Sequence, residues 1–331
     1  MKAMMLERYG EDFSFALRDV ERPEPRPGEV LIKVVGSSFN PIDNKIATMG
    51  DKLGFAPELP AVPGMDVSGV VADIPHSMSK FQPGDRVFGC AGGLVNMPGA
   101  LGEYMVADER LLAHAPKCMD LAEAAALPLV SITAWLALFE RARIKPCRTL
   151  LVHGGAGGVG HVAVQLAQHA GAKVFATVSS DDKAAVVESL GATPIPYREM
   201  AVADYVAECT DGEGFDVVLD TVGGACLDQS FEAAAIGGQV VSTSTRATHD
   251  LAAMHAKGLT LHVVFMLLPL MTGDGRPLYG RILHEIAGMV DDDHLAVLLD
   301  SHRFDYTEVA EAHRYWASGE ALGKILVTVD G

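Results

Sequence analysis

The rhythm of apolar residues along this 331-residue chain changes near residue 122. Before that point, short runs such as Val30-Leu31-Ile32-Lys33-Val34-Val35 and Arg86-Val87-Phe88-Gly89 follow turn-forming clusters, Pro23-Glu24-Pro25-Arg26-Pro27-Gly28 and Gln82-Pro83-Gly84-Asp85. Strand-length runs punctuated by Pro and Gly predict an antiparallel, barrel-like β domain. From Ala122 onward helical stretches alternate with strands, among them Phe215-Asp216-Val217-Val218-Leu219-Asp220 and Gly238-Gln239-Val240-Val241-Ser242. Counting from Thr149, about six strands separated by helices predict an α/β fold with a doubly wound parallel sheet. A last strand at 324–329 is expected to rejoin the first domain. The expected division is therefore 1–123 with 266–331, and an inserted α/β domain at 124–265.

The richest signal is Thr149-Leu150-Leu151-Val152-His153, which breaks into Gly154-Gly155-Ala156-Gly157-Gly158-Val159-Gly160 and then resumes at helical spacing. Gly155, Gly157 and Gly160 fit G-x-G-x-x-G at a strand-to-helix junction. The pattern supplies a tight turn, close backbone approach to a pyrophosphate and close helix–sheet packing. The helix start at Gly158 and Val159 adds N–H groups and positive dipole density for the anion. Lys173-Val174-Phe175-Ala176-Thr177-Val178 reads as the second strand of a βαβ unit. The second strand of such units usually ends in an acid that binds the ribose 2′-OH; here Val178 takes that place, followed by Ser179 and Ser180. Lys183, one turn further, offers a cation, although a solvated helix face explains it equally well. Asp181 and Asp182 suit the start of the next helix. The missing acid favours NADPH over NADH.

Length predicts two domains. A formal charge of −17 argues against a general nucleic-acid or anionic-membrane surface. The longest apolar run, 259–271, contains His262 and Pro269 and is too short to span a bilayer. The N-terminal residues show no signal-peptide pattern, and five dispersed cysteines read as free thiols. A cytoplasmic location is expected.

Several motifs together resemble the zinc-free medium-chain dehydrogenase/reductases of the NADPH:quinone oxidoreductase, or zeta-crystallin, type. They are Asn40-Pro41-Ile42-Asp43, Pro63-Gly64-Met65-Asp66, Pro83-Gly84-Asp85-Arg86-Val87, Ala124-Ala125-Ala126-Leu127-Pro128, Thr133-Ala134-Trp135, the glycine loop, Asp220-Thr221-Val222-Gly223-Gly224 and Gly323-Lys324-Ile325. The resemblance implies a GroES-like domain beside a Rossmann domain. It also implies NADPH contacts at Thr133, the glycine loop, Ser179, Ser180, Lys183, Tyr197, Val222, Phe265 and Lys324. Zinc-dependent relatives place cysteine where Asn40 stands, histidine where Met65 stands and a further cysteine near Leu129; amide, thioether and alkyl groups do not replace these ligands. No metal is expected.

Quinones and α,β-unsaturated carbonyls accept hydride at carbon and delocalise charge into oxygen, so hydrogen-bond donors suffice. The resemblance places Asn40 and Asp43 at the catalytic position, with Asn40 donating to a substrate carbonyl and Asp43 orienting Asn40 or a water. The same four residues also favour a plain turn. Lys45 stands where quinone reductases of this type often carry tyrosine, which leaves the proton donor open. Tyr197 is expected to stack near the 2′-phosphate or adenine, or else to cover the sheet end. Two other functions compete: reduction of a 2-enoyl thioester, for which Lys45 and Lys52 would supply cations, and a non-catalytic structural role. A homodimer is expected through the uncharged edge at 259–264, unless 265–271 folds back to cover it.

Overall fold

The computed structural model describes residues 1–75 and 79–329. Among these residues the strands, in chain order, are β1 Lys2–Arg8, β2 Ser14–Asp19, β3 Glu29–Ser38, β4 Asp66–Asp73, β5 Arg86–Cys90, β6 Tyr104–Asp108, β7 Leu112–His114, β8 Thr149–His153, β9 Lys173–Val178, β10 Thr193–Pro196, β11 Phe215–Asp220, β12 Ala234–Ser242, β13 Thr260–Val263, β14 Leu299–Asp305 and β15 Lys324–Thr328. Two compact units emerge, Met1–Ile132 with Leu267–Gly331, and Thr133–Met266.

The first unit contains a seven-stranded sheet in the order β14-β15-β3-β4-β5-β7, with β6 also paired to β3, and a separate β1-β2 hairpin. β3 is its organising strand: Val30, Leu31, Ile32 and Val34 are buried, and three neighbours draw on its backbone. Antiparallel register fixes what meets at its end. Leu326 of β15 lies opposite Ser38, so continuing the count brings Lys324 to Asn40. Gly36 lies opposite Ser68 of β4, which brings Asp66 to Ser38.

The second unit is a six-stranded sheet, β10-β9-β8-β11-β12-β13, with every pairing parallel. In the unit's own strand count this is the order 3-2-1-4-5-6, with the reversal between β8 and β11. Phe215, Phe231, Tyr205 and Leu227 pack one part of its core with Leu151 and Val218 of the sheet. Ligands of such sheets bind beyond the carboxyl ends of the strands at the reversal, which is where the loop after β8 lies.

The first domain boundary falls at 132/133 rather than 123/124, and the second at 266/267 rather than 265/266. The composition changes at residue 122 because an apolar helical stretch, Leu121–Arg141, begins there; the division between units falls within that stretch. By length and composition this stretch alone, among the described residues, is sufficient to cross a membrane, yet 78% of its apolar window is buried inside the protein, as expected of a core helix. The run 259–271, expected to be the longest apolar one, breaks into β13 and a short helix, Leu268–Thr272.

Candidate functional site

The glycine loop is set by backbone proximity. Gly154 turns the chain with φ 76°, in the left-handed region that side chains disfavour. A Cβ on Gly155 would lie 2.4 Å from Cβ of Ala176 in β9. A Cβ on Gly160 would lie 2.1 Å from the carbonyl oxygen of Gly154, so the first helical turn rests directly on the loop. Gly157 is exposed and is the N-cap of the helix Gly158–His169, with no side-chain cap. The first N–H groups of a helix lack intrahelical acceptors, and here no side chain of the cap takes them. A cradle of this kind fits a pyrophosphate.

Neighbouring strands hold the loop in place. Thr177 of β9 accepts from Gly154 N at 3.1 Å through Oγ1 and from Gly155 N at 3.3 Å through its carbonyl. Thr221 Oγ1 donates to His153 O at 2.7 Å. Asp220, wholly buried, accepts from Val222 N, Gly223 N and Ser242 Oγ at 2.7–2.9 Å, which fixes the turn after β11. Burial holds the imidazole of His153 down at about 4, so it is neutral at physiological pH. The sequence signals no role for Thr177 or Asp220; Asp220 belongs to one of the motifs that carry the resemblance, but its function as a turn clamp depends on loop geometry.

Val178, buried, ends β9 without a carboxylate. Ser180 is the N-cap of the helix Asp181–Ser189 and accepts from Lys183 N at 3.5 Å, while Asp181 and Asp182 occupy that helix's first turn. The parallel register of Pro196 with Val178 brings Tyr197 level with Ser179. Arg198, for which the sequence gives no signal, donates through Nη1 to Ser179 O at 3.3 Å, and so places a cation beside the end of β9. Tyr197, Val222 and Phe265 are 47%, 58% and 40% exposed. All three follow the carboxyl ends of parallel strands, β10, β11 and β13. Thr133 begins the second unit and is buried.

Lys324 and Asn40 belong to the first unit, and the expectation for both changes. Asn40 is wholly buried. Its Nδ2 donates to Asp66 Oδ2 at 2.7 Å, and its Oδ1 accepts from Lys324 Nζ at 2.5 Å. Because an ammonium only donates and a carboxylate accepts, this amide has one orientation. Lys324, 2% exposed, also donates to Phe39 O at 2.8 Å and lies 3.8 Å from Asp66 Oδ2. Asp66 further accepts from Ser38 Oγ at 2.8 Å and Leu129 N at 2.9 Å. Both ends of the Asn40 amide are therefore committed to an internal ion pair rather than free for a substrate carbonyl. The Lys324 ammonium is committed in the same way rather than free for a cofactor.

Asp43 is half-buried as a residue, but its carboxyl is enclosed. Its Oδ2 accepts from Asn40 N at 2.8 Å, the N3 half of a capping box on the helix Pro41–Met49. It orients Asn40 through the backbone. It also lines a small cavity of about 20 Å³ with Ser37, Phe39 and His313, room for about one water. Burial pushes its carboxyl up to about 7. Burial also pushes Asp66 up and Lys324 down, each opposing the other's shift. Among the described residues no group of three or more His, Cys, Asp or Glu is placed to hold a metal ion.

Two expectations follow. Asp66→Asn leaves the Lys324 cation buried without its counter-charge and should cost roughly 3–5 kcal/mol; adding Lys324→Met should recover part of that, read as urea-unfolding midpoints of the single and double variants. Asp43 binds its proton more tightly when folded than when unfolded, so its contribution is favourable below the unfolded value of 3.8 and is lost as pH rises through about 7. Between these limits wild-type stability should fall with pH by up to about 1.4 kcal/mol per unit relative to Asp43→Asn, which keeps an acceptor for the cap. Parallel stability–pH profiles for the two proteins would contradict this.

Comparison with known proteins places this geometry. Residues 26–117 match the model of the alcohol dehydrogenase GroES-like domain, and residues 158–272 match that of a zinc-binding dehydrogenase. The chain is 32% identical over 336 positions to the chloroplastic NADPH-dependent alkenal/one oxidoreductase of Arabidopsis thaliana, covering 99% of this chain and 79% of that one. It is 28% identical to the quinone oxidoreductase of Homo sapiens, covering 99% and 97%. A crystal structure of an alcohol dehydrogenase superfamily protein from Novosphingobium aromaticivorans superposes with a TM-score of 0.95 at 39% identity, covering both chains fully. With its GroES-like unit, its 3-2-1-4-5-6 sheet and its glycine loop in these places, the chain belongs to the medium-chain dehydrogenase/reductase family, among the quinone oxidoreductases and alkenal/one reductases.

Proposed function

We propose that this protein reduces a quinone or an α,β-unsaturated carbonyl with NADPH and without a metal. The observation that carries the reading is the uncapped helix start on the glycine cradle, beside a strand end that lacks the ribose-binding acid and has Lys183 and Arg198 nearby. When bound, reduced nicotinamide supplies a hydride. The chain's contribution is binding and orientation: Gly157 to Gly160 for the pyrophosphate, Ser179, Lys183 and Arg198 for the 2′-phosphate, and Tyr197, Val222 and Phe265 as apolar surfaces along the same sheet edge. Asn40 and Lys324 serve as positioning residues that hold the end of β3 through Asp66. Asp43, whose carboxyl burial pushes up to about 7, can take up or release a proton near neutral pH.

In this reading NADPH binds at least tenfold tighter than NADH. Lys183→Ala and Arg198→Ala should each weaken NADPH by roughly 1–3 kcal/mol and leave NADH nearly unchanged, as read by fluorescence titration. Equal affinity for the two cofactors would remove the assignment. A turnover panel of quinones, enones and enoyl thioesters then separates the proposed activity from thioester reduction, and no turnover with tight NADPH binding would point to a non-catalytic role. We place the protein in the cytoplasm, a location supported by its five free cysteines.

We also propose a homodimer through β13, the outer strand of the six-stranded sheet. Val264 N donates to Ser242 O of β12 at 2.9 Å. N–H groups alternate sides along a strand, so that of Val263 points outward, and its side chain is 46% exposed. An outer row of unpaired donors invites a second strand. Val263→Pro removes one outward donor without touching the β12 pairing and should convert a species near twice 35.0 kDa to monomer in sedimentation. A wild-type protein that sediments as monomer at micromolar concentration contradicts the dimer.

A further inference from the structure

The opposite edge of the six-stranded sheet carries a feature that the cofactor reading does not use. A recess of about 670 Å³ opens at the amino ends of the strands, within the second unit. That volume is in the range of small-molecule sites. Its charged lining is Arg141, Arg143, Lys145 and Arg148 against Glu140 and Asp216. Arg148 and Asp216 neutralise each other at 2.5 Å, and Asp216 is further held by Thr149 N and Oγ1. Among the described residues Arg141, Arg143 and Lys145 form no ion pair, so the recess has excess positive charge in a chain of net charge −17. Like charges are kept together only at a Coulombic cost, which an anion removes.

The recess is also built on fixed geometry. Its floor is a relay in which His262 Nε2 donates to Gln239 Oε1 at 2.9 Å and Gln239 Nε2 donates to Ala142 O at 3.1 Å. The carbonyl of Ala142 only accepts, so the amide is oriented and His262 carries its proton on Nε2. The cations arrive on the connection that leaves a π-helical turn, Leu136–Arg141, a geometry often found at functional sites. Arg143 is held at φ 50°, where an L side chain is disfavoured. Ile236, 85% exposed, forms an apolar rim.

We propose that this recess binds a polyanionic, phosphate-bearing small molecule, at a site separate from the nucleotide-binding edge. Its phosphates meet Arg141, Arg143 and Lys145, and its less polar part lies on Ile236. The proposal stands independently of the cofactor assignment, and its test keeps the two apart. Inorganic tripolyphosphate is titrated calorimetrically at low salt into wild type, the recess variant Arg141→Gln/Arg143→Gln, the rim variant Ile236→Asp and the cofactor-edge variant Lys183→Ala/Arg198→Ala. Saturable binding that weakens at least tenfold in the recess variant and in Ile236→Asp, and persists in the cofactor-edge variant, is the expected result. Ile236→Asp places a carboxylate at an exposed position, so it reads the recess even where the double variant folds poorly. No saturable binding to wild type, binding unchanged by the recess and rim substitutions, or binding lost only in the cofactor-edge variant overturns the proposal.

Discussion

The first unit is organised around one buried ion pair. Asp66 and Lys324 sit on β4 and β15, the two strands flanking the end of β3, and Asn40 joins them through an amide that faces both. Isolated, either charge would be costly to bury; together, with Ser38, Phe39 and Leu129 completing their hydrogen bonds, they make the register of three strands mutually dependent. A slip of β15 by one residue turns Lys324 to the opposite face and leaves Asp66 uncompensated. The network therefore acts as a registry device, the best-attested use of buried charge. It also anchors the start of the helix Pro41–Met49, on which Asp43 is presented.

In the second unit the corresponding constraint is space. Nothing larger than hydrogen fits at Gly155 or Gly160, because β9 and the loop carbonyl occupy the volume a methyl would need. This explains why the loop was legible in the sequence: a constraint on backbone approach leaves a residue-type signature at fixed spacing. The doubly wound sheet was legible for a similar reason, since parallel strands buried on both faces read as continuous apolar runs, as Val217-Val218-Leu219 and Leu150-Leu151-Val152 do.

What the sequence did not disclose depends on register and on contacts between distant segments. Arg198 lies fifteen positions beyond Lys183, and only the parallel pairing of Pro196 with Val178 brings it to Ser179. Asn40 was placed by resemblance in a catalytic role, because no periodicity shows that both ends of its amide meet partners 26 and 284 positions away. Lys324 is likewise placed among the NADPH contacts by resemblance alone. Its enclosure follows from the antiparallel count between β15 and β3. The unit boundary differs for another reason: apolar composition marks where a helical stretch starts, and the division between units falls inside that stretch.

Net charge adds a last constraint on how such a protein recognises anions. A surface of charge −17 repels phosphates in general, so recognition depends on short-range, locally concentrated donors rather than on the field of the whole molecule. In the proposed reading the second unit provides these in two different ways. At the carboxyl edge they are largely backbone N–H groups on an uncapped helix, supplemented by Lys183 and Arg198, and their geometry is fixed by glycine packing. At the amino edge they are side chains on a connection whose floor is pinned by His262 and Gln239. Backbone donors retain their orientation whatever the salt, whereas an array of exposed cations weakens as the Debye length shortens from about 10 Å at 0.1 M to about 3 Å at 1 M. On this reading the same sheet presents one anion-binding edge governed chiefly by shape and another governed chiefly by charge, and ionic strength acts mainly on the second.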